Sequence, residues 1–235
     1  MKGYGQFCPV AVACEVFAER WTPLILREMF CGSRRFNDLR RGMPLISRTL
    51  LAQRLQTLEE SGVIQSVPLP RGRGREYRLT KAGEEFRAVI DRLGEWGQRW
   101  IHGKVSTENL DAQLLMWDIH RRIDLDRLPA ERVVARFDFR GIPLSYRGPR
   151  TTWLVLQRPE VDVCLKDPGF GTDIVVSADL KAITKVWLGD LRFDEALRSR
   201  AIVIEGPRKW VQALPGWLLL SGVAGVPRPP RALAT

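Results

Sequence analysis

The chain has 235 residues, 45% of them hydrophobic and 27% charged, and a formal net charge of +10. That length accommodates two small domains with separate cores, and the composition is that of an ordinary soluble globular protein. The apolar stretch Trp217–Val226 is short and broken by glycines, and no basic start precedes an apolar core, so neither a bilayer span, a membrane partner nor a secretory signal is expected and the cytoplasm is the default location.

The placement of the charge is more informative than its size. Between Arg20 and Thr80 there are twelve arginines against five acids, an excess of seven out of the chain's ten. A basic surface concentrated in that way suits a polyanion such as double-stranded DNA. The four cysteines, Cys8, Cys14, Cys31 and Cys164, show no Cys-x-x-Cys spacing, so neither a disulfide framework nor a zinc site is expected. The last three read as small buried apolar residues.

In chain order, Pro9–Ala18 reads as a short helix with proline at its first position. Thr22 and Pro23 open a second, whose apolar side is Leu24, Ile25, Met29 and Phe30 and which Gly32 ends. Ser33 opens a third over Arg34–Arg41, with Phe36 and Leu39 inward, before the turn Gly42-Met43-Pro44. Ser47 then caps a longer helix, Arg48–Glu60, in which Leu51, Leu55 and Leu58 recur at i, i+4 and i+7. Thr49, Gln53 and Gln56 fall roughly opposite, with Arg48 exposed on the first turn. A short helix, a tight turn and a helix with a polar outer face is the helix-turn-helix plan.

Two strands, Val63–Pro68 and Glu76–Leu79, flank a loop containing Arg71, Arg73 and Arg75 separated by glycines. Glycine allows close approach, and arginine binds phosphate bidentately or enters a narrow minor groove, so this hairpin is a wing. From Thr80 a further helix runs to about His102, with Phe86, Ile90, Leu93, Trp96, Trp100 and Ile101 available for burial. Ser47, Arg48, Thr49 and Gln53 on the helix and Arg71, Arg73 and Arg75 on the wing are therefore the candidate DNA contacts.

Beyond residue 103 the rhythm changes, dividing the chain into a DNA-binding part, 1–103, and a second domain, 104–235. Glu108–Ile123 reads as helix. Val133, Ala135, Phe137 and Phe139 then alternate with Arg136 and Asp138, and Trp153–Gln157, Val161–Lys166 and Asp173–Ser177 are further strands. Helices over Leu180–Leu188 and Asp194–Arg198, a strand at Ile202–Glu205 and a helix from Pro207 to about Leu220 complete an α+β layer.

Several motifs match a known family in order. They are Cys8-Pro9-Val10, Glu19–Glu28, Arg35–Leu39, Ile46–Leu50, Gln53–Glu59, Tyr77–Gly83 and Trp96-Gly97. Across residues 8–102 the chain resembles the HxlR family of bacterial transcriptional regulators. The resemblance implies a homodimer built from the N-terminal helix and the helix ending near His102, bound to a pseudo-palindromic operator with the reading helix in the major groove. It also implies that Cys8, an N-terminal cysteine, can serve as an oxidant or electrophile sensor; a structural role is the alternative.

The second half resembles sterol-carrier-protein-like domains through Val161–Gly169, Asp173–Asp179, Leu188-Gly189-Asp190, Glu195-Ala196-Leu197 and Ile204–Pro207. That resemblance implies a sheet covered by helices and an apolar cavity for a lipid-like small molecule, with Trp153, Trp187, Trp210 and Trp217 as its candidate lining. The alternative is a closed core in a dimerisation or spacer domain. The two histidines, His102 and His120, fit no ligand pattern, and no nucleophile is set beside a base, so no enzyme, cofactor or metal is expected. The competing function is a lipid-like carrier whose N-terminal part serves only dimerisation.

Overall fold

The computed structural model describes residues 3–69, 74–101 and 107–229. The chain divides into two compact units, Met1–Gly94 and Glu95–Thr235. None of the described helices is long and apolar enough to cross a membrane.

The first unit begins with α1 (Pro9–Phe17), α2 (Thr22–Phe30), α3 (Phe36–Arg41) and α4 (Arg48–Glu60). A two-stranded antiparallel hairpin follows, β1 (Ile64–Pro68) and β2 (Arg75–Leu79), then α5 (Lys81–Glu85) and α6 (Arg87–Trp100). The leucine repeat of α4 does what its spacing predicts: Leu51, Leu55 and Leu58 are buried with Ile25, Leu26, Leu39, Met43, Ile46 and Ile64 in one core. Phe17 and Phe86 stack with centroids 5.2 Å apart, joining the end of α1 to the junction of α5 and α6.

Inside this apolar core lies one acid. Glu28 is fully buried, yet its carboxylate accepts hydrogen bonds from Arg27 Nη2 at 2.6 Å and Ser33 Oγ at 3.2 Å. The same Arg27 Nη2 donates to the Gly42 carbonyl at 2.9 Å. Gly42 leaves room for the carboxylate, since a Cβ there would fall 1.9 Å from Glu28 Cδ. The end of α2, the turn behind it and the end of α3 are thereby held at one point.

The third helix starts later than the sequence suggested. Arg34 and Arg35 are not helical; Arg35 bridges Glu76 as a short third strand beside β2, and the Tyr77 amide donates to the Arg34 carbonyl at 2.8 Å. Pairing with a hairpin some forty residues away overrides local helix preference. The helix expected from Thr80 is likewise interrupted at Phe86, giving α5 and α6. Gly83 allows α5 to approach the wing base, because a Cβ would lie 2.1 Å from the Val63 carbonyl oxygen.

The second unit contains α7 (Ala112–His120) and a five-stranded mixed sheet in the order β5-β4-β3-β6-β7. Its strands are β3 (Val133–Arg140), β4 (Thr151–Leu156), β5 (Val161–Cys164), β6 (Ile174–Asp179) and β7 (Ile202–Glu205), with α8 (Leu180–Trp187) and α9 (Phe193–Arg198) between β6 and β7 and α10 (Arg208–Trp217) last. Central β3 pairs antiparallel with β4 and parallel with β6. Val133, Ala135, Phe137 and Phe139 face a core completed by Leu115, Met116, Ile183, Val186 and Leu214 from the helices. The α+β expectation is met as a mixed sheet with helices. α7 is shorter than the expected helix because Asp111 caps it, its side chain accepting from the Leu114 amide at 2.9 Å.

The Glu28 cluster generates a stability prediction. Gly42→Ala forces a methyl into the carboxylate's place and should destabilise the first unit by about 1–3 kcal/mol, the usual range for overpacking. Hydrogen exchange followed by mass spectrometry on the full chain should show faster exchange in α2 and α3 with β3 unchanged; equal rates in α2 and α3 would show that the site absorbs the methyl.

Candidate nucleic-acid interface

α4 starts where Ser47 stops being helical: its Oγ accepts the Leu50 amide at 3.2 Å, the N-cap bond the sequence predicts. Beyond the cap the polar residues divide into two groups. Arg54 is bound to the chain, through Nη2 to Glu19 at 2.6 Å and Nε to the Arg20 carbonyl at 3.2 Å. Gln56 donates to Glu60 at 2.8 Å and Thr57 to the Gln53 carbonyl at 3.1 Å. Glu59 accepts from both the Ser66 amide at 3.0 Å and the Ser66 hydroxyl at 2.5 Å, which ties the end of α4 to β1. Those two bonds, the hydroxyl first, hold the Glu59 carboxyl below its ordinary pKa.

Arg48, Thr49 and Gln53 form the second group. All three are exposed, and among the described residues their side chains make no hydrogen bond or ion pair. With the exposed methyl of Ala52 they cover the side of α4 turned away from Leu51, Leu55 and Leu58.

The wing is anchored at its base. Thr80 Oγ1 donates to the Gly62 carbonyl at 2.6 Å, and Arg34 and Arg78 flank Glu76 at 3.8 and 3.3 Å. Arg75, exposed at the start of β2, reaches the Ser66 carbonyl at 3.5 Å. Arg71 and Arg73 lie outside the described residues. Half-buried Tyr77 has its phenol pushed above the ordinary value, chiefly by desolvation.

A further feature was not anticipated. Val89, Leu93, Trp96 and Trp100 recur along one side of α6 and, with Ile101, are all exposed, where the sequence reading offered Leu93, Trp96, Trp100 and Ile101 for burial. Tyr4, Phe7, Val10 and Val12, in and before α1, are exposed as well. Periodicity identifies an amphipathic helix but not what covers its apolar side.

The cysteines also differ from expectation. Cys31 is exposed, and Cys14 and Cys164 are half-buried instead of core residues. Cys8 is exposed at the N-terminus of α1, where the backbone amides of Ala11 and then Val10 hold its thiol below the ordinary pKa. Burial, aided by Asp162, pushes Cys164 the other way.

The four tryptophans of the second unit do not form one lining. Trp187 and Trp217 are buried in the core, with Trp210 packed against it and 5.7 Å from Trp217. Trp153 pairs with Arg136, which places it on the opposite face of the sheet from Leu154 and Leu156. Among the described residues no group of three or more His, Cys, Asp or Glu side chains is arranged to hold a metal.

Comparison with known proteins places the first part of the chain. The HxlR-like helix-turn-helix family matches residues 16–105. The HTH-type transcriptional regulator Rv3095 of Mycobacterium tuberculosis is 45% identical over 93 residues, a match that takes in 39% of this chain and 58% of that protein's length. The HTH-type regulator YvaP of Bacillus subtilis is 31% identical over 98 residues, 41% of this chain and 91% of YvaP. Among solved structures, the reduced form of the regulator YodB from B. subtilis shares 28% identity, covering 42% of this chain and 98% of that one with a TM-score of 0.37. The family match includes the helix-turn-helix and wing, and the similarity to YvaP extends over nearly all of that regulator. This chain belongs to the HxlR-like helix-turn-helix family.

Proposed function

We propose that this protein is a transcriptional regulator that binds a pseudo-palindromic operator in double-stranded DNA as a homodimer. α4 enters the major groove and the wing holds the backbone or minor groove. The observation that carries this reading is the division of α4: Arg54, Gln56, Thr57 and Glu59 bond within the protein, while Arg48, Thr49 and Gln53 face outward unengaged. Ser47, exposed at the helix start beside the capping amide, is placed to meet a phosphate at the positive end of α4.

The wing arginines supply sequence-independent attraction. Replacing Arg71, Arg73 and Arg75 together by alanine should weaken binding to every DNA sequence and reduce the slope of log affinity against log salt by about 2–3, close to one per lost phosphate contact. Mobility-shift titrations across a salt series read this directly. Undiminished affinity at moderate salt would remove the wing from the interface, and failure of the intact chain to bind DNA at low salt would favour the carrier reading.

The exposed apolar side of α6, together with Tyr4, Phe7, Val10 and Val12, supports the second copy. An apolar stripe at helical spacing suits burial by an identical stripe in a two-fold dimer. Val89→Glu combined with Leu93→Glu should shift the sedimenting species to monomer and lower operator affinity while leaving the circular dichroism spectrum intact. A dimer that persists in this variant would place its interface elsewhere.

Cys8 supports thiol modulation of the same regulator. It is exposed, and amides at the start of α1 favour its thiolate. With the Cys8 pKa lowered and the Cys164 pKa raised, alkylation of Cys8 should reach half its maximal rate at a lower pH than a free cysteine peptide, and Cys164 at a higher one. Peptide mapping after iodoacetamide pulses at a series of pH values measures both. A Cys8 profile matching the free peptide would show that the helix start does not activate it.

A further inference from the structure

The division of α4 specifies more than a DNA-facing side. Arginine pairs bidentately with the O6 and N7 of guanine, glutamine with the N6 and N7 of adenine, and small methyl groups pack against the thymine methyl. A side chain can make those bonds only where it is not already held by the protein. On α4 that condition separates two glutamines of identical chemistry: Gln56 has its amide engaged by Glu60 at 2.8 Å, and exposed Gln53 has no partner among the described residues. It separates two arginines in the same way, Arg54 being locked to Glu19 and Arg20 while Arg48 is free on the first turn.

Five residues separate Arg48 from Gln53, a rise of about 7.5 Å along an α-helix, or roughly two base-pair steps. Thr49 and Ala52 lie between them in sequence on the same exposed side. Resting on the reading of α4 as the groove-facing helix, we propose that each operator half-site contains a G·C pair read by Arg48 and, about two steps away, an A·T pair read by Gln53, with Thr49 and Ala52 against thymine methyl groups. Gln56 and Arg54 orient the helix and contribute no base preference.

Selection of a randomised double-stranded DNA library by the full chain, followed by sequencing, tests the assignment. The intact protein should enrich a half-site with one invariant guanine and one invariant adenine in that proximity, each preferred roughly tenfold to a hundredfold over other bases. Arg48→Ala should erase the guanine column alone and Gln53→Ala the adenine column alone, both variants still retaining unselected DNA at low salt. Gln56→Ala should leave the logo unchanged. Logos for Arg48→Ala and Gln53→Ala that match the intact protein would overturn the proposal, as would loss of a column in Gln56→Ala. DNA retention with no enriched half-site leaves the DNA-binding reading standing and refutes the base assignment; no retention at any salt refutes the DNA-binding reading itself.

Discussion

The first unit depends on a buried charge. Removing a carboxylate from water is costly unless hydrogen bonds and an opposite charge replace the lost hydration. Glu28 obtains both from Arg27 and Ser33, and Arg27 uses the same nitrogen to hold the Gly42 carbonyl. Loss of one partner from such an arrangement typically costs about 3–5 kcal/mol, because the remaining charge is stranded. The cluster therefore tolerates only one placement of α2 against the end of α3. Met43 and Ile46, both buried, continue from Gly42 into the core and deliver Ser47 to the start of α4. The direction of the presumptive reading helix is a consequence of how α2 and α3 meet.

Apolar packing and polar bonds divide the remaining work. Leu51, Leu55 and Leu58 decide which side of α4 is inside, and that burial supplies most of its stability. The Arg54–Glu19 pair is only partly exposed, at 17% and 26%, and so is screened less than the surface pairs Arg34–Glu76 and Arg78–Glu76, in which the arginines are at least half exposed. It sets the rotation of α4 relative to the segment between α1 and α2. Glu59 with Ser66, and Thr80 with Gly62, do the same for the wing. Every polar side chain used in this way is withdrawn from contact with a ligand, so the unengaged residues identify the surface left for one.

Much of the first unit was legible because its signals are local. A serine cap, a three-leucine repeat and an arginine-glycine loop between two strands each act within a few residues, and they appear in the structure where the sequence puts them. What escaped was non-local. Arg34 and Arg35 read as helix until Glu76 and Tyr77 arrive from the hairpin to pair with them. The stripe on α6 has the periodicity of a core helix, yet Trp96 is 54% exposed and Leu93 49%. Periodicity measures segregation of apolar residues, and an apolar side meant for another molecule is indistinguishable from one meant for the chain's own core.

In the second unit the same limit operates on strands. β3 alternates cleanly, so Val133, Ala135, Phe137 and Phe139 could be assigned to one face and Arg136 and Asp138 to the other from sequence alone. β4 contains the continuous apolar run Trp153–Leu156, in which alternation gives no face. Pairing resolves it. Arg136 opposite Trp153 and Asp138 opposite Thr151 put those residues together on the polar side, where Asp138 accepts from Arg136 at 3.0 Å and from Thr151 at 2.9 Å. An aromatic residue on that side is covered by its strand neighbours and not by the helices, so Trp153 belongs to a different environment from Trp187 and Trp217 despite equal hydrophobicity. Register, which no local pattern encodes in a uniformly apolar strand, is what separates them.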